Sequence, residues 1–599
     1  MNTYFARRCV YIVILVSCFS NIKASAVTVS QLPLFLGSSA EPNIMFTLDD
    51  SGSMRFEIMP DDIILDSTSI GSAYYVYPRQ SNVYVSSSDY DNSTIIFDST
   101  STAYDVSAYF RSSNNNKLYY NPEITYVPWS KSDGTLYANA VPSCALHNPE
   151  RTSVTTPGSS GVNSYCRNLT ANNTETAYYY TNFSSSYTSS SKTYWPAVYY
   201  IYKGSGDVKN KSNYNKVEIK SGKSYTGGIN RYDCVSKPTC TYSEEIQNFA
   251  NWYSYYRARV LAARAGVGQA FAKQGTNMRV GFTTINTSDT TINQVKSFTG
   301  TSRSSFFSLL YDTPIPAQGT PLRRALDDVG KYFSSNSNDG PWSSTPGTIS
   351  TAPHLTCRQS YNILMTDGYW NGDQASTTAA RANVDNTSGP TITGPNSQSY
   401  QYKAIPPYKD ADDNTLSDVA MYYWNRDLRP DLTNKVPTNI HDPAFWQHMV
   451  TFTVGLGVEG TLKQSDYSAL VAGTLSWPNQ VETVTDARRI DDLWHAAVNG
   501  HGGFYSAADP NSFANALSDS LAKIAERTSS ASAVATNSSK LLTNTQIFQG
   551  RFNSADWSGQ LQSFPIDTNG VVQSASWDAS TKIPVYSTRK IFTYKAGTG

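Results

Sequence analysis

A doubly wound, mostly parallel α/β domain interrupted by long insertions is the fold expected of this chain, and three observations lead to it. Four short apolar runs, at 44–48, 280–285, 361–365 and 450–456, read as strands buried on both faces. Helical stretches alternate with them, as a parallel sheet with crossover helices requires. The first run, within NIMFTLDDSGSM from Asn43 to Met54, stops abruptly in two aspartates and two serines. Open α/β sheets bind ligands at that position, just outside the carboxyl ends of their strands.

The N-terminus comes first in chain order. Arg7 and Arg8 precede an almost wholly apolar run at 9–19, and Ala24-Ser25-Ala26 fits a small-residue cleavage site. Residues 1–26 therefore read as a secretory signal, too short to span a bilayer. Its removal leaves a mildly acidic exported chain. The α/β domain is expected at 27–54 and 244–528, with 55–243 inserted after the first strand. That insertion is rich in Tyr, Ser and Asn, carries period-two pieces such as YYVYP and AVYYIY, and reads as β-rich.

The longest helical stretch runs over 244–273, with Ser243 as candidate N-cap and acids in its first turn. The aromatic residues of 249–256 read as core and insertion packing. A second helix is expected over 320–333, with Pro321 at its first position, followed by helices at 414–424, 487–498 and 510–527. A second interruption at 369–445 has Pro and Gly clusters and reads mostly as loop. From 529 the texture changes: SSASAVATNSS is a linker, and 529–599 reads as the truncated start of an all-β, propeller-like domain.

Composition narrows the function. Lys+Arg and Asp+Glu are both 47, so no basic field exists to recruit nucleic acid. Charged residues are 16% of the chain, below the roughly 25% usual in soluble proteins, and 42 tyrosines help fill the gap. No G-x-S-x-G elbow and no H-E-x-x-H occurs, and the chain is not expected to be an enzyme. Outside the signal, the cysteines are Cys144, Cys166, Cys234, Cys240 and Cys357. In an oxidising compartment Cys144–Cys166 and Cys234–Cys240 are plausible local disulfides, leaving Cys357 as a buried thiol or a partner elsewhere. Zinc is the poorer reading of these cysteines, which lack C-x-x-C spacing.

Asp49, Ser51 and Ser53 lie just past one strand, and Asp367, in NILMTDG, lies just past another. Thr320, in AQGTPL, opens a helix. Each also has a plainer reading: Asp, Ser and Gly make turns, and Thr320 is a good N-cap. Together they form an all-oxygen set of two carboxylates and three hydroxyls, suited to Mg²⁺ or Mn²⁺. Hydroxyls add no negative charge, so a metal held there stays electron-poor and attracts a partner's carboxylate. His495 and His501, at a helix end, read as structural. DADDNT at 410–415 is only superficially a calcium loop, since it lacks the Gly and terminal Glu of an EF-hand.

The ordered set DDSGS, Thr320 and TDG resembles the metal-ion-dependent adhesion site of von Willebrand factor A domains, pattern DxSxS…T…D. Longer phrases, among them PLFLGSSAEPNIMFTLDDSGSM, YYNPEITYVPW, YNILMTDGYWNG, FWQHMVTFTVGLGV, RIDDLWHAAVNGHGGFYSA and FNSADWSGQLQSFPID, resemble the PilY family of type IV pilus tip adhesins. That resemblance implies an exported protein at the pilus tip or cell surface, loaded by minor pilins and linked to pilus assembly, attachment and twitching motility. It implies a metal at Asp49, Ser51, Ser53, Thr320 and Asp367 that grips an acidic ligand. It also implies a C-terminal β-propeller, with Ca²⁺ in it, beyond Gly599. A periplasmic A domain serving another complex, and a secreted hydrolase, are the alternative readings.

Overall fold

A computed structural model of the chain describes residues 40–61, 106–153, 156–180, 188–287, 293–348, 351–439, 441–480 and 486–529. Shorter pieces lie at 74–78, 83–84, 93–94, 533–536, 546–553, 558–565 and 576–583, with a few single positions between. The signal expected at 1–26 falls outside them. The chain forms two compact units, divided near residue 531.

The larger unit is built on a six-stranded sheet. Its elements are β1 (Asn43–Leu48), α1 (Tyr242–Tyr255), α2 (Arg259–Ala272), β2 (Arg279–Thr284), β3 (Asn293–Ser297), α3 (Gly300–Asp312) and α4 (Leu322–Phe333). They continue with β4 (Ser360–Thr366), α5 (Leu416–Trp424), β5 (Val450–Leu456), α6 (Arg488–Asn499), β6 (His501–Ala507) and α7 (Pro510–Ser529). The strand order is β3-β2-β1-β4-β5-β6. Every pairing is parallel except that of the edge strand β3 with β2. The four apolar runs are thus the four central strands.

Burial on both faces explains why those runs are continuous rather than alternating. Ile44, Phe46 and Leu48 join one core cluster with residues of α2, α3 and α7. Met45 joins a second cluster with residues of α4, α5 and α6. Phe46 meets Phe271 of α2 edge-on at 5.6 Å and Phe306 of α3 at 6.3 Å. Truncating a residue so enclosed costs about 3–5 kcal/mol.

The single helix expected over 244–273 is two. A capping box formed by Thr241 and Glu244, not Ser243, starts α1. The chain leaves helical geometry at Tyr256–Ala258, where Ala258 is extended. This break frees the Arg259 amide to donate to the Phe56 carbonyl at 3.0 Å, and Arg257 pairs with Glu57 at 2.9 Å. Both arginines are thereby tied to the segment that follows DDSGSM. Helix α4 likewise begins one residue later than expected, at Leu322, with Pro321 at the N-cap position.

The tyrosine-rich insertion shares the main core. Tyr77, Tyr119, Tyr120, Trp129 and Tyr199 are buried in the same cluster as Phe249, Trp252 and Tyr253 of α1. AVYYIY supplies the strand Val198–Tyr202, whereas YYVYP at 74–78 belongs to no strand. Disulfides join Cys144 to Cys166 and Cys234 to Cys240, as the spacing suggested, and fit an exported protein. Cys357 differs from expectation: it is an exposed thiol.

Residues 369–445 carry, besides irregular chain, a hairpin of Thr391–Thr393 with Ser399–Gln401 and the helix α5. They have a small core of their own around Trp424 and Trp446. In the second unit, strands Ala533–Thr536, Gln546–Asn553, Ser558–Pro565 and Trp577–Asp578 form an antiparallel sheet.

Candidate metal centre

In-register pairing of β1 with β4 sets the geometry. Leu48 lies opposite Met365, so Asp49, just past β1, comes beside Thr366, the last residue of β4. The Thr366 hydroxyl donates to Asp49 Oδ2 at 2.6 Å, and the Ser51 amide donates to Asp49 Oδ1 at 2.8 Å. An aspartate that bonds the amide two residues on builds the turn from its own side chain. Ser51 stays extended, and its side chain does not cap the 3₁₀ turn Gly52–Arg55 that follows.

Its hydroxyl instead lies 3.0 Å from that of Ser53, which donates to Asp367 Oδ1 at 2.9 Å. Asp49, Ser51, Ser53 and Asp367 therefore form one hydrogen-bonded chain across the C-terminal ends of β1 and β4. Thr320 is brought alongside through backbone. The Gly52 amide donates to Gln318, and Asn371 closes a two-way clasp on Thr320, its side chain accepting from the Thr320 amide at 3.0 Å. Its own amide donates back to the Thr320 carbonyl at 2.9 Å. Helix α4 has no side-chain cap, so capping is not what the Thr320 hydroxyl does.

Asp49 and Asp367 are fully buried. Burial raises the Asp49 carboxyl above its ordinary range, against the pull of its hydrogen bonds. Burial likewise raises Asp367, to about 7; Arg259 opposes this and the Asp49 charge adds to it. Two buried acids side by side favour a cation between them. The donors are hard oxygens, two carboxylates with neutral hydroxyls, which fits Mg²⁺ or Mn²⁺.

Arg259 is the residue that sequence reasoning missed. It is 1% exposed, and one arm lies 3.0 Å from Asp367 Oδ2. Its other nitrogens reach the Ile58 carbonyl at 2.8 and 3.0 Å and also pair with Asp61. One of the two site charges is thus already half-balanced from behind. Asp50 points the other way, accepting from Asn286, beside a cleft of about 440 Å³ lined also by Thr284, Asp312, Pro314 and Gln318. Both histidines stack on tryptophans, His501 on Trp424 at 3.7 Å and His495 on Trp477 at 4.4 Å.

No family model and no solved structure matches the chain. Curated proteins do. The type IV pilus biogenesis factor PilY1 of Pseudomonas aeruginosa strain PAK is 31% identical over 608 residues, covering 93% of this chain and 45% of that protein. PilY1 of strain PAO1 gives the same identity and coverage, and that of strain UCBPP-PA14 is 30% identical over 613 residues. The chain therefore spans somewhat under half the length of these relatives. Over nearly all of its own length it is a PilY-family sequence, as its motifs predict.

Proposed function

We propose that this chain is an exported adhesin and assembly factor of type IV pili, displayed at the pilus tip or cell surface. Its larger unit is a von Willebrand factor A-like domain that grips an acidic group through a divalent metal. The observation that carries this reading is the buried, hydrogen-bonded chain Asp49–Ser51–Ser53–Asp367 at the ends of the two central strands.

In this reading Ser51, Ser53 and Thr320 supply neutral oxygens, and Asp49 and Asp367 supply charge. Mg²⁺ or Mn²⁺ bound there offers an electron-poor coordination position to a partner's carboxylate. Arg259 pairs with Asp367, lowers the net negative charge of the pocket and keeps that position attractive to an anion. An electron-poor ion among neutral hydroxyl ligands favours gripping a carboxylate, which is the chemistry of adhesion. The relatives' name, pilus biogenesis factor, supports the cellular setting, minor pilins being the expected assembly partners.

Shearing pili from cells and probing the sheared fraction for this chain tests the setting. Presence that depends on the major pilin is expected. Export without pilus association would favour a periplasmic A domain serving another complex.

A further inference from the structure

A second cluster of ionisable side chains lies where residues 369–445 meet α6. Asp385 and Asp410 come from the former, and His495 and Asn499 lie one turn apart on α6. The His495 and Asp385 side chains are 1% and 0% exposed, and that of Asp410 is 6% exposed.

The imidazole has a fixed tautomer. Nε2 lies 2.6 Å from the Tyr408 carbonyl, an acceptor only, so Nε2 carries a proton. Nδ1 faces Asp410 Oδ2 at 3.3 Å, and Asp385 Oδ2 lies 3.6 Å from Nε2. A neutral ring would set its Nδ1 lone pair against a carboxylate oxygen. Something positive belongs between them, a second proton or a metal ion. A histidine that ligates a metal through one nitrogen and donates to a backbone carbonyl through the other is a common arrangement.

The spacing accommodates a metal. Zinc bonds of about 2.0–2.2 Å at tetrahedral angles set N and O ligands about 3.4 Å apart. One ligand atom from each of Asp385, Asp410 and His495 lies within 4.8 Å of the others. Among the described residues neither aspartate has an Arg or Lys ion-pair partner. Asp385 Oδ1 accepts the Asp410 amide and Asp410 Oδ1 the Asp412 amide, which leaves Oδ2 of each facing the imidazole.

Asn499 flanks the same place. Asn499, 0% exposed, donates from Nδ2 to Asp385 Oδ2 at 2.8 Å, while its Oδ1 is buried without a hydrogen-bond partner. The same Nδ2 also donates to the Ser417 carbonyl at 3.3 Å, and the two bonds fix the amide with its nitrogen toward Asp385.

We propose that Asp385, Asp410 and His495, completed by water, bind a borderline transition metal of the Zn²⁺ class, distinct from the Mg²⁺-type site. The bound ion would pin residues 369–445 to α6. Asp492 of the same helix holds the Trp370 indole at 2.8 Å, next to Asn371, which clasps Thr320. The zinc-class site would therefore steady the loop of the adhesion site from behind.

The test uses the exported chain, stripped with chelator and titrated with Zn²⁺ or Co²⁺ at pH 8. Asp49→Ala, which removes the Mg²⁺-type site, and Asp410→Asn are compared with wild type. Wild type and Asp49→Ala should each take one Zn²⁺ that Asp410→Asn does not. Saturation at a hundredfold excess over Kd should raise the wild-type melting midpoint by about 2–3 °C. Co²⁺ should give visible bands typical of low-coordinate N/O ligation. If Asp410→Asn does not fold, the Co²⁺ spectrum and Zn²⁺ stoichiometry of Asp49→Ala decide alone. No bound Zn²⁺ and no Co²⁺ bands there would overturn the proposal and leave a doubly protonated His495 holding two carboxylates.

Discussion

Replacing Arg259 with methionine keeps most of the side chain's length and removes its charge. In the structure the guanidinium satisfies three sets of acceptors: Asp367, the Ile58 carbonyl and Asp61. Removing one member of a buried ion pair costs about 3–5 kcal/mol, because the other charge stays buried. Leaving the Ile58 carbonyl without its donors adds about 1–3 kcal/mol. These two parts respond differently to metal. A divalent ion at Asp49 and Asp367 replaces the lost positive charge but does nothing for Ile58. At a hundredfold excess over Kd, metal returns about 2.7 kcal/mol. At equal Mg²⁺ concentration it should return more to the variant, whose Kd is lower because no arginine repels the ion, an effect of about 3 kcal/mol per unit charge at roughly 5 Å and an effective dielectric constant of 20. Urea unfolding followed by tryptophan fluorescence, in chelator and in saturating Mg²⁺, reads both parts. Arg259→Met should lose several kcal/mol in chelator and visibly less in Mg²⁺. An equal loss in both solutions would refute the reasoning, since Asp367 would then face no metal.

Two other outcomes follow from the same geometry. A Cβ on Gly319 would sit 2.5 Å from Asn371 Oδ1, the atom that holds the Thr320 amide. Gly319→Ala should therefore weaken Mg²⁺ binding roughly 5–30-fold, about 1–2 kcal/mol, with little loss of helix content by circular dichroism. The buried pair His448–Asp442, 2.8 Å apart, gives a pH signature. Burial alone would raise Asp442, but the His448 charge and hydrogen bond outweigh it and hold the acid well below its usual range. Burial alone would lower His448, and Asp442 outweighs that and raises it. The Asp442 contribution is then present above about pH 4 and lost as pH falls through its depressed folded value. The His448 contribution is present below about pH 6.5 and lost as pH rises through its raised folded value. Melting curves should show the two-sided loss, and His448→Gln should flatten it.

The central strands could be read from sequence because each is a continuous apolar run buried on both faces. The edges could not. Asn293–Ser297 is mostly polar, and His501–Ala507 contains two glycines, so neither carries a strand-like pattern on its own. The break between α1 and α2 was hidden because Tyr256–Ala258 has no Gly or Pro; tertiary contacts of Arg257 and Arg259 make it. Within the site, DDSGS is local and could be found by eye. Thr366 and Arg259 act across more than a hundred residues of sequence and Asn371 across 51, and none gives a local signal. Asp410 shows the reverse case. It lies in a run that fails as a calcium loop, yet its side chain turns inward to His495.

Isothermal titration of Mg²⁺ into the chelator-treated exported chain, beside Asp49→Ala with unchanged circular dichroism, tests the central claim most directly. One equivalent of Mg²⁺ should bind wild type, and the heat should vanish in the variant. Equal binding by both chains, or none by wild type, would contradict the metal centre at Asp49, Ser51, Ser53, Thr320 and Asp367.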